Sequence, residues 1–388
     1  MKVLILNQHT ENFGDDAAGD GIMRIVDSYP CVDRVEVVYN GPQGEPYGDR
    51  RSVAPNGVRL KDIGLWGLIA WSVSPRSLRA RGPAGKLVEL IRAADVVFVA
   101  PSGANIGIYR DWQFLFRLLM AVREGARPVF HWNTIGRSGS RLFDRLSAYV
   151  LRHSDLFVRE IASAHYVESM GLSCETGPDT AFALPAVEIA VDERLISVIP
   201  SELDSWHPGF KENGVNRIIL NDLAAVLSAF VTENDLRVQI LPHLRSATER
   251  AFNAEFCAAL SRFGVDSSRV SIRNDVTSYE KYDSAIATSR VIVGGRYHSV
   301  VLAAKNFRPF VSWSYENKMT EVCRYLHMEH LEVDLKSDGA GVRFASALRR
   351  AFEEGAETTE QLRRTVKDEL ATRVGEVGRR YLTCEDAG

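Results

Sequence analysis

The 388-residue chain has only five cysteines, at positions 31, 174, 257, 323 and 384, and no two of them form a C-x-x-C pair. That scatter excludes zinc or dithiol redox chemistry built on such a pair and suits a reducing compartment. A basic excess is also missing, since 47 Lys and Arg face 50 Asp and Glu, for a formal charge of -3. Without a broad positive field the chain is not a nucleic-acid binder, and any anion must be held by a local cluster. No apolar run approaches the ~20 residues that span a bilayer, and the chain opens at once on the strand-like "KVLILN" (2–7). A soluble, cytoplasmic protein is expected, at most peripheral to the inner face of a membrane. There is no P-loop, no G-x-G-x-x-G after the first strand, no HExxH and no convincing G-x-S-x-G elbow, which removes several nucleotide and hydrolase signatures. The pair Asp15 and Asp16 is poor material for a metal site, so neither a metal nor a bound cofactor is expected.

What the sequence does have is alternation. Uniformly apolar β-rich runs at 2–7, 35–39, 95–100, 127–132 and 155–159 are separated by helix-period stretches. Strands with no wet face read as a parallel sheet covered on both sides. A second series of the same kind follows at 195–200, 236–243, 269–273, 290–295 and 309–313. The expected fold is therefore α/β with two Rossmann-like, doubly wound parallel-sheet domains. Their expected bounds are 1–188 and 189–345, with a charged helical segment over 346–388 that either lies on the surface or straps the domains together. Residues 62–82 run from tryptophans and aliphatics into Arg76, Arg79 and Arg81. An ordinary amphipathic helix and loop is the simpler reading of that stretch, and peripheral membrane contact is the alternative.

In open α/β sheets, ligands gather at the carboxyl ends of strands, where helix N-termini favour anions. "RVIVGGRYHSVVLAAKN" (290–306) has that grammar: a strand, a Gly294–Gly295 turn, then Arg296, Tyr297 and His298 at the mouth of a helix. The flat fork of Arg296 suits a carboxylate or phosphate, and His298 suits proton movement near neutral pH. A helix dipole lowers and a bound anion raises the pKa of such a histidine, so whether it acts as acid or base stays open. Three further strands end in ionisable groups: His243 after "VQILP", Arg159 after "DLFV", and Tyr315, Glu316 and Lys318 after "VSWS". Near the N-terminus, Asn12, Gly14 and Asp15 either contact substrate hydroxyls or cap a helix. Ser102, Gly103 and Asn105 form a loop after the third strand whose backbone can approach a ligand closely.

Taken in order, "NFGDDA", "SGANIG", "TIG", "VREIASAHYVESMGLSCETGPDTAF", "ILPH" and "GRYHSVVLAAKNFRPFVSWSYENK" resemble the polysaccharide pyruvyl transferase family over nearly the whole chain. The family usually has Leu where Tyr297 stands, a glycine before the first asparagine and a proline where Arg137 stands. The resemblance implies a GT-B-like fold and transfer of pyruvate from phosphoenolpyruvate onto two hydroxyls of a glycan sugar as a ketal, in cell-surface or exopolysaccharide biosynthesis. It implies phosphoenolpyruvate as donor substrate and a glycan or lipid-linked saccharide as acceptor. Arg159 and Arg296 become anion holders and His298 the proton-transfer residue, with Lys318 and His243 as additions. Asn12, Asp15 and Ser102 on the opposite domain would face the sugar or the far side of the donor. Phosphoenolpyruvate carries a carboxylate and a phosphate on adjoining atoms, and the cations just described meet that need independently. The alternatives are a GT-B glycosyltransferase using a nucleotide sugar, or a catalytically inactive glycan-binding relative.

Overall fold

The computed structural model describes residues 1–10, 12–40, 51–53, 82–205, 207, 210 and 214–383. The stretch 62–82, with Arg76, Arg79 and Arg81, falls outside the described residues apart from the backbone of Gly82. The chain divides into two compact units, the first of residues 1–11, 15–183 and 372–388 and the second of residues 12–14 and 184–371.

The sheet of the first unit contains β1 (Lys2–Gln8), β2 (Arg34–Tyr39), β3 (Arg51–Val53), β4 (Val96–Val99), β5 (Val129–Asn133), β6 (Asp155–Val158) and β7 (Glu175–Thr176). Their order is β3-β2-β1-β4-β5-β6-β7 and every pairing is parallel. Its helices are α1 (Phe13–Asp27), α2 (Gly82–Ala93), α3 (Trp112–Arg123), α4 (Arg141–Arg152) and α5 (Ile161–Ser169). Period-two alternation sends Leu4 and Leu6 into one core layer with Leu87, Phe114 and Phe143. Val3 and Ile5 enter the opposite layer with Ile22, Val26 and Val377. Both faces of β1 are thus dry, which is why its sequence shows no polar alternation.

At the carboxyl ends of β1 and β5 the pairing register slips, between Leu6 and Gln8 and between His131 and Asn133. The residues inside those bulges, Asn7 and Trp132, have φ of 66° and 58°. A bulge of this kind re-aims the chain at a sheet edge. Gly177 permits the second one, because a β-carbon there would lie 2.4 Å from the Trp132 ring.

The second unit has β8 (Asp192–Ile199), β9 (Arg237–Ile240), β10 (Val270–Ile272), β11 (Ser289–Gly294), β12 (Phe310–Ser314) and β13 (Glu332–Asp334). They run parallel in the order β10-β9-β8-β11-β12-β13. Its helices are α6 (Val215–Glu233), α7 (Ala247–Arg262), α8 (Tyr279–Thr288), α9 (Tyr297–Lys305), α10 (Asn317–Tyr325), α11 (Ala340–Glu353) and α12 (Gly355–Arg364). Among the described helices, α6 alone is long and apolar enough to cross a bilayer; its second half packs on α7 and α11 as a core helix does. Every residue of α9 is buried. Its last residue, Lys305, donates to Asp283 Oδ2 at 2.6 Å and to the Pro185 carbonyl at 2.9 Å, so this buried cation is neutralised in place.

The helical segment 346–388 divides between the units, residues up to 371 belonging to the second and α13 (Glu376–Tyr381) packing with the first. Val377 and Leu382 supply the reason, because both are buried in the core layer of Val3 and Ile5. Residues 12–14 do not stand with the first unit. Asn12 bridges to Leu244, the Phe13 N–H donates to the His243 carbonyl at 3.2 Å, and the Phe13 ring lies 5.5 Å from that of Tyr282. Against the expectation of a reducing compartment, Cys31 is disulfide-bonded, whereas Cys174, Cys257 and Cys323 are free thiols.

Candidate active site

The carboxyl edge of the second sheet collects the ionisable groups. At the end of β11 the glycine pair is dictated by crowding. A β-carbon on Gly294 would fall 2.6 Å from Ser299 Oγ, and one on Gly295 would fall 2.7 Å from the Ile199 carbonyl of β8. The chain therefore turns tightly into α9 with Arg296 at the N-cap in extended conformation. The Arg296 carbonyl accepts from the Ser299 amide at 3.0 Å, and Ser299 Oγ also donates to it at 2.5 Å.

The Arg296 guanidinium donates from Nη2 to Glu249 Oε2 at 3.1 Å and also hydrogen-bonds the Tyr315 side chain. Burial opposes its charge, but Tyr315 and Glu249 more than compensate and raise its pKa. Glu249 comes from the first turn of α7. Its carboxylate accepts from the backbone N–H of both His243 and Leu244 as well as from Arg296. Burial raises its pKa against the pull of those donors. One buried acid thus fixes both the fork of Arg296 and the loop after β9.

His243, in that loop, stacks on His298 with ring centroids 6.2 Å apart and planes at 21°. Its Nδ1 lies 3.2 Å from the Tyr282 hydroxyl. Burial, then Arg296, His298 and Lys318, push its pKa well below the usual histidine value, so it is a neutral imidazole at pH 7. His298 also meets the Tyr297 ring at 5.0 Å. After β12, Glu316 accepts from Lys318 Nζ at 2.7 Å and pairs with His207 Nε2 at 3.0 Å. Burial works against the Glu316 carboxylate, but Lys318 and His207 hold its pKa at about 2. The His207 ring stands edge-on to Tyr315 at 5.4 Å. A connected chain therefore runs from Glu249 through Arg296, Tyr315, His207 and Glu316 to Lys318.

Of the residues expected from sequence, Arg296, His298, His243, Tyr315, Glu316, Lys318 and Asn12 belong to the second unit. Arg159, Asp15, Ser102 and Gly103 belong to the first. Arg159, expected as an anion holder, donates from Nη1 to Asp179 at 2.7 Å, both side chains being buried, and from Nε to Thr134 Oγ1 at 3.0 Å. Ser102 Oγ accepts from Asn133 Nδ2 at 3.1 Å. Asp15 stands in the first turn of α1, where its charge suits the helix dipole, and its carbonyl takes Gln8 Nε2 at 3.0 Å. Arg296 and His298 keep only 8% and 6% of their surfaces, so any ligand would meet them through few atoms in a poorly solvated setting. Glu249, Tyr282 and His207 were not anticipated from sequence. Ser246 and Glu249 do show the S-x-x-E spacing of a capping box, but only the Ser246 half forms, accepting from the Glu249 amide at 3.2 Å. The Glu249 carboxylate goes to Arg296 instead.

Two doubly wound sheets of this kind place the chain among GT-B-like proteins, and solved structures agree. A trehalose-6-phosphate synthase superposes with a TM-score of 0.60 at 11% identity, covering 98% of this chain and 99% of that one. A UDP-N-acetylglucosamine 2-epimerase described as putative, from Listeria monocytogenes, gives 0.60 at 10% identity, covering 98% and 94%. The UDP-GlcNAc 2-epimerase of Methanocaldococcus jannaschii gives 0.58 at 11%, covering 91% and 93%. Those identities speak for the fold alone. No curated protein matches the chain in sequence. The model of the polysaccharide pyruvyl transferase family matches residues 12–317, from the Asn12 motif to the first turn of α10, and the chain belongs to that family.

Proposed function

We propose that the protein transfers pyruvate from phosphoenolpyruvate to two hydroxyls of a glycan sugar, releasing phosphate and leaving a ketal. The observation that carries this reading is the arrangement of Arg296: a guanidinium fixed between Glu249 and Tyr315, two residues before His298 on the first turn of α9. Arg296 takes the carboxylate or phosphate of the donor, a task for which its fork is better suited than a point charge. The chemistry needs one proton delivered to the methylene carbon C3, which makes C2 electrophilic. Two sugar oxygens then bond to C2 in turn, the C2–O bond to phosphate breaks, and of the two hydroxyl protons one balances the proton now on C3 while the other leaves with phosphate.

His298 is the residue assigned to that proton movement, with neutral His243 stacked beside it. Because His243 carries no charge at pH 7, it adds no repulsion to a second cation next to it, and the burial and cations that keep it neutral leave the proton to His298. Low exposure of Arg296 and His298 favours this work, since fixed charges act more strongly where water is scarce. Lys318, anchored by Glu316, supplies a further positive charge for the trianionic donor. Asp15, Ser102 and Gly103 are assigned to the acceptor, and Arg159 to an anion of the donor, as the family resemblance implies.

Incubation of the protein with phosphoenolpyruvate and candidate saccharides, followed by mass spectrometry, tests the proposal. Pyruvate added to the glycan with stoichiometric phosphate release is the expected result. The structural neighbours include enzymes whose names place them on nucleotide sugars, so UDP-sugars belong in a parallel arm. Sugar transfer there, with no pyruvylation, would overturn the reading.

A further inference from the structure

In the first unit, α4 turns Phe143, Ser147, Val150 and Leu151 inward. At 100° per residue the outward arc of about 100° holds Arg141, Arg152, Arg145, Tyr149 and Leu142. All five are exposed, with Leu142 at 62% and Tyr149 at 41%. No acid stands on that arc. Asp144, at its flank, is half-buried and accepts from the Ser138 amide at 2.9 Å.

The loop before α3 continues the same surface. The Trp112 ring meets Phe143 of α4 edge-on at 5.0 Å, and Arg110 Nε donates to the Ser138 carbonyl at 2.7 Å. Ile108 and Trp112 are 51% and 40% exposed, and Arg110 and Arg137 are exposed beside them. Isolated exposed aliphatics are ordinary, but a run of them ringed by cations of one sign is not.

We infer that this face of α4, with the loop before α3, docks the protein on an anionic lipid surface. The aliphatic and aromatic side chains suit the acyl and headgroup boundary, and the arginines suit lipid phosphates. Charge complementarity selects that occupant: a second copy of the chain would set arginine against arginine. The inference is independent of the donor chemistry, and it places the enzyme where a lipid-linked saccharide would be found.

Sedimentation of the full chain with phosphatidylcholine vesicles, with and without phosphatidylglycerol, tests it. Binding is expected only to the anionic vesicles and is expected to fade in high salt. At about 1 kcal/mol per arginine near the surface, the double variant R141Q/R145Q should lose roughly 30-fold in partitioning. Leu142→Ala should weaken binding as well, whereas Val342→Ala, at a 79% exposed site of the second unit, should not. Equal vesicle binding by R141Q/R145Q and the parent overturns the inference, as does no binding to anionic vesicles. A dimer in sedimentation velocity that Leu142→Ala dissolves would assign the face to a second copy instead. Pyruvyl transfer to a soluble saccharide should be the same in R141Q/R145Q, so failure of the catalytic proposal and failure of this one are told apart.

Discussion

The imidazole of His298 packs against Gly14 so closely that a β-carbon at position 14 would lie 2.2 Å from its Cγ and Nδ1. The glycine of the "NFGDDA" motif therefore makes room for the ring rather than providing a flexible turn; it is the second residue of α1. Gly14→Ala would incur overpacking of about 1–3 kcal/mol. Net destabilisation is expected, with a loss of turnover beyond what the unfolded fraction explains. Denaturant melts and initial rates on the same preparation check it, and a stabilised, fully active variant would show that the ring is not constrained there.

Arg296 and His298 should separate kinetically. Arg296→Lys keeps the charge but cannot serve Glu249, Tyr315 and a donor anion with one geometry. Loss of a charged hydrogen bond, about 1.5–3 kcal/mol, should weaken phosphoenolpyruvate binding by roughly one to two orders of magnitude. His298→Ala should instead cost roughly a hundredfold or more in kcat, as removal of a proton-transfer group does, with donor affinity little changed. Titration of donor binding by calorimetry alongside steady-state rates distinguishes the two, and equal small losses for both would contradict the roles given to them.

Glu249 is a positioning residue, and its two tasks can be split. Glu249→Gln keeps one oxygen to accept from the His243 and Leu244 amides, but its amide nitrogen cannot accept from Arg296. Removing one partner of a buried ion pair costs about 3–5 kcal/mol, so the melting temperature should fall. The reading specific to positioning is a rise in KM for phosphoenolpyruvate larger than the fall in kcat. Glu249→Ala, which frees the loop as well, should lower both. A Gln variant with parental KM would remove Glu249 from the site.

How much of this was legible in the sequence follows the range of the contacts. The parallel sheets were readable because both faces of strands such as β1 are dry. The edge strands β3, β7 and β13 are not legible because runs of two or three residues carry no period; β10, equally short, is legible only through the alternating "RVSIR" around it. The placement of Arg296, His298, His243 and Lys318 at strand ends is legible because βα turns put them there, a local rule. Glu249 and Tyr282 lie within helices and reach the site across tens of residues of sequence, and the S-x-x-E spacing around Glu249 points to capping instead. Asn12 was assigned to the wrong unit because a strand-loop-helix reading of the N-terminus does not reveal the bridge to Leu244.

His131 sets an acid limit on stability. It is fully buried in β5, edge-on to Phe98 at 5.6 Å and to Trp132 at 6.2 Å, and among the described residues no other side chain hydrogen-bonds either ring nitrogen. Burial depresses its pKa to about 3, with only partial relief from its own backbone and the charge of Asp179. The unfolded chain takes up this proton near the ordinary value of about 6.5, whereas the folded one does not until about pH 3. The contribution of the neutral ring is complete above pH 6.5 and is lost as pH falls from there towards 3, at about 1.4 kcal/mol per unit. His131→Phe has no proton to take up, so the slope of stability against pH between 6 and 4 should be shallower by nearly one proton. Urea melts of the two proteins across that range measure the difference, and parallel slopes would mean that the imidazole is protonated within the fold.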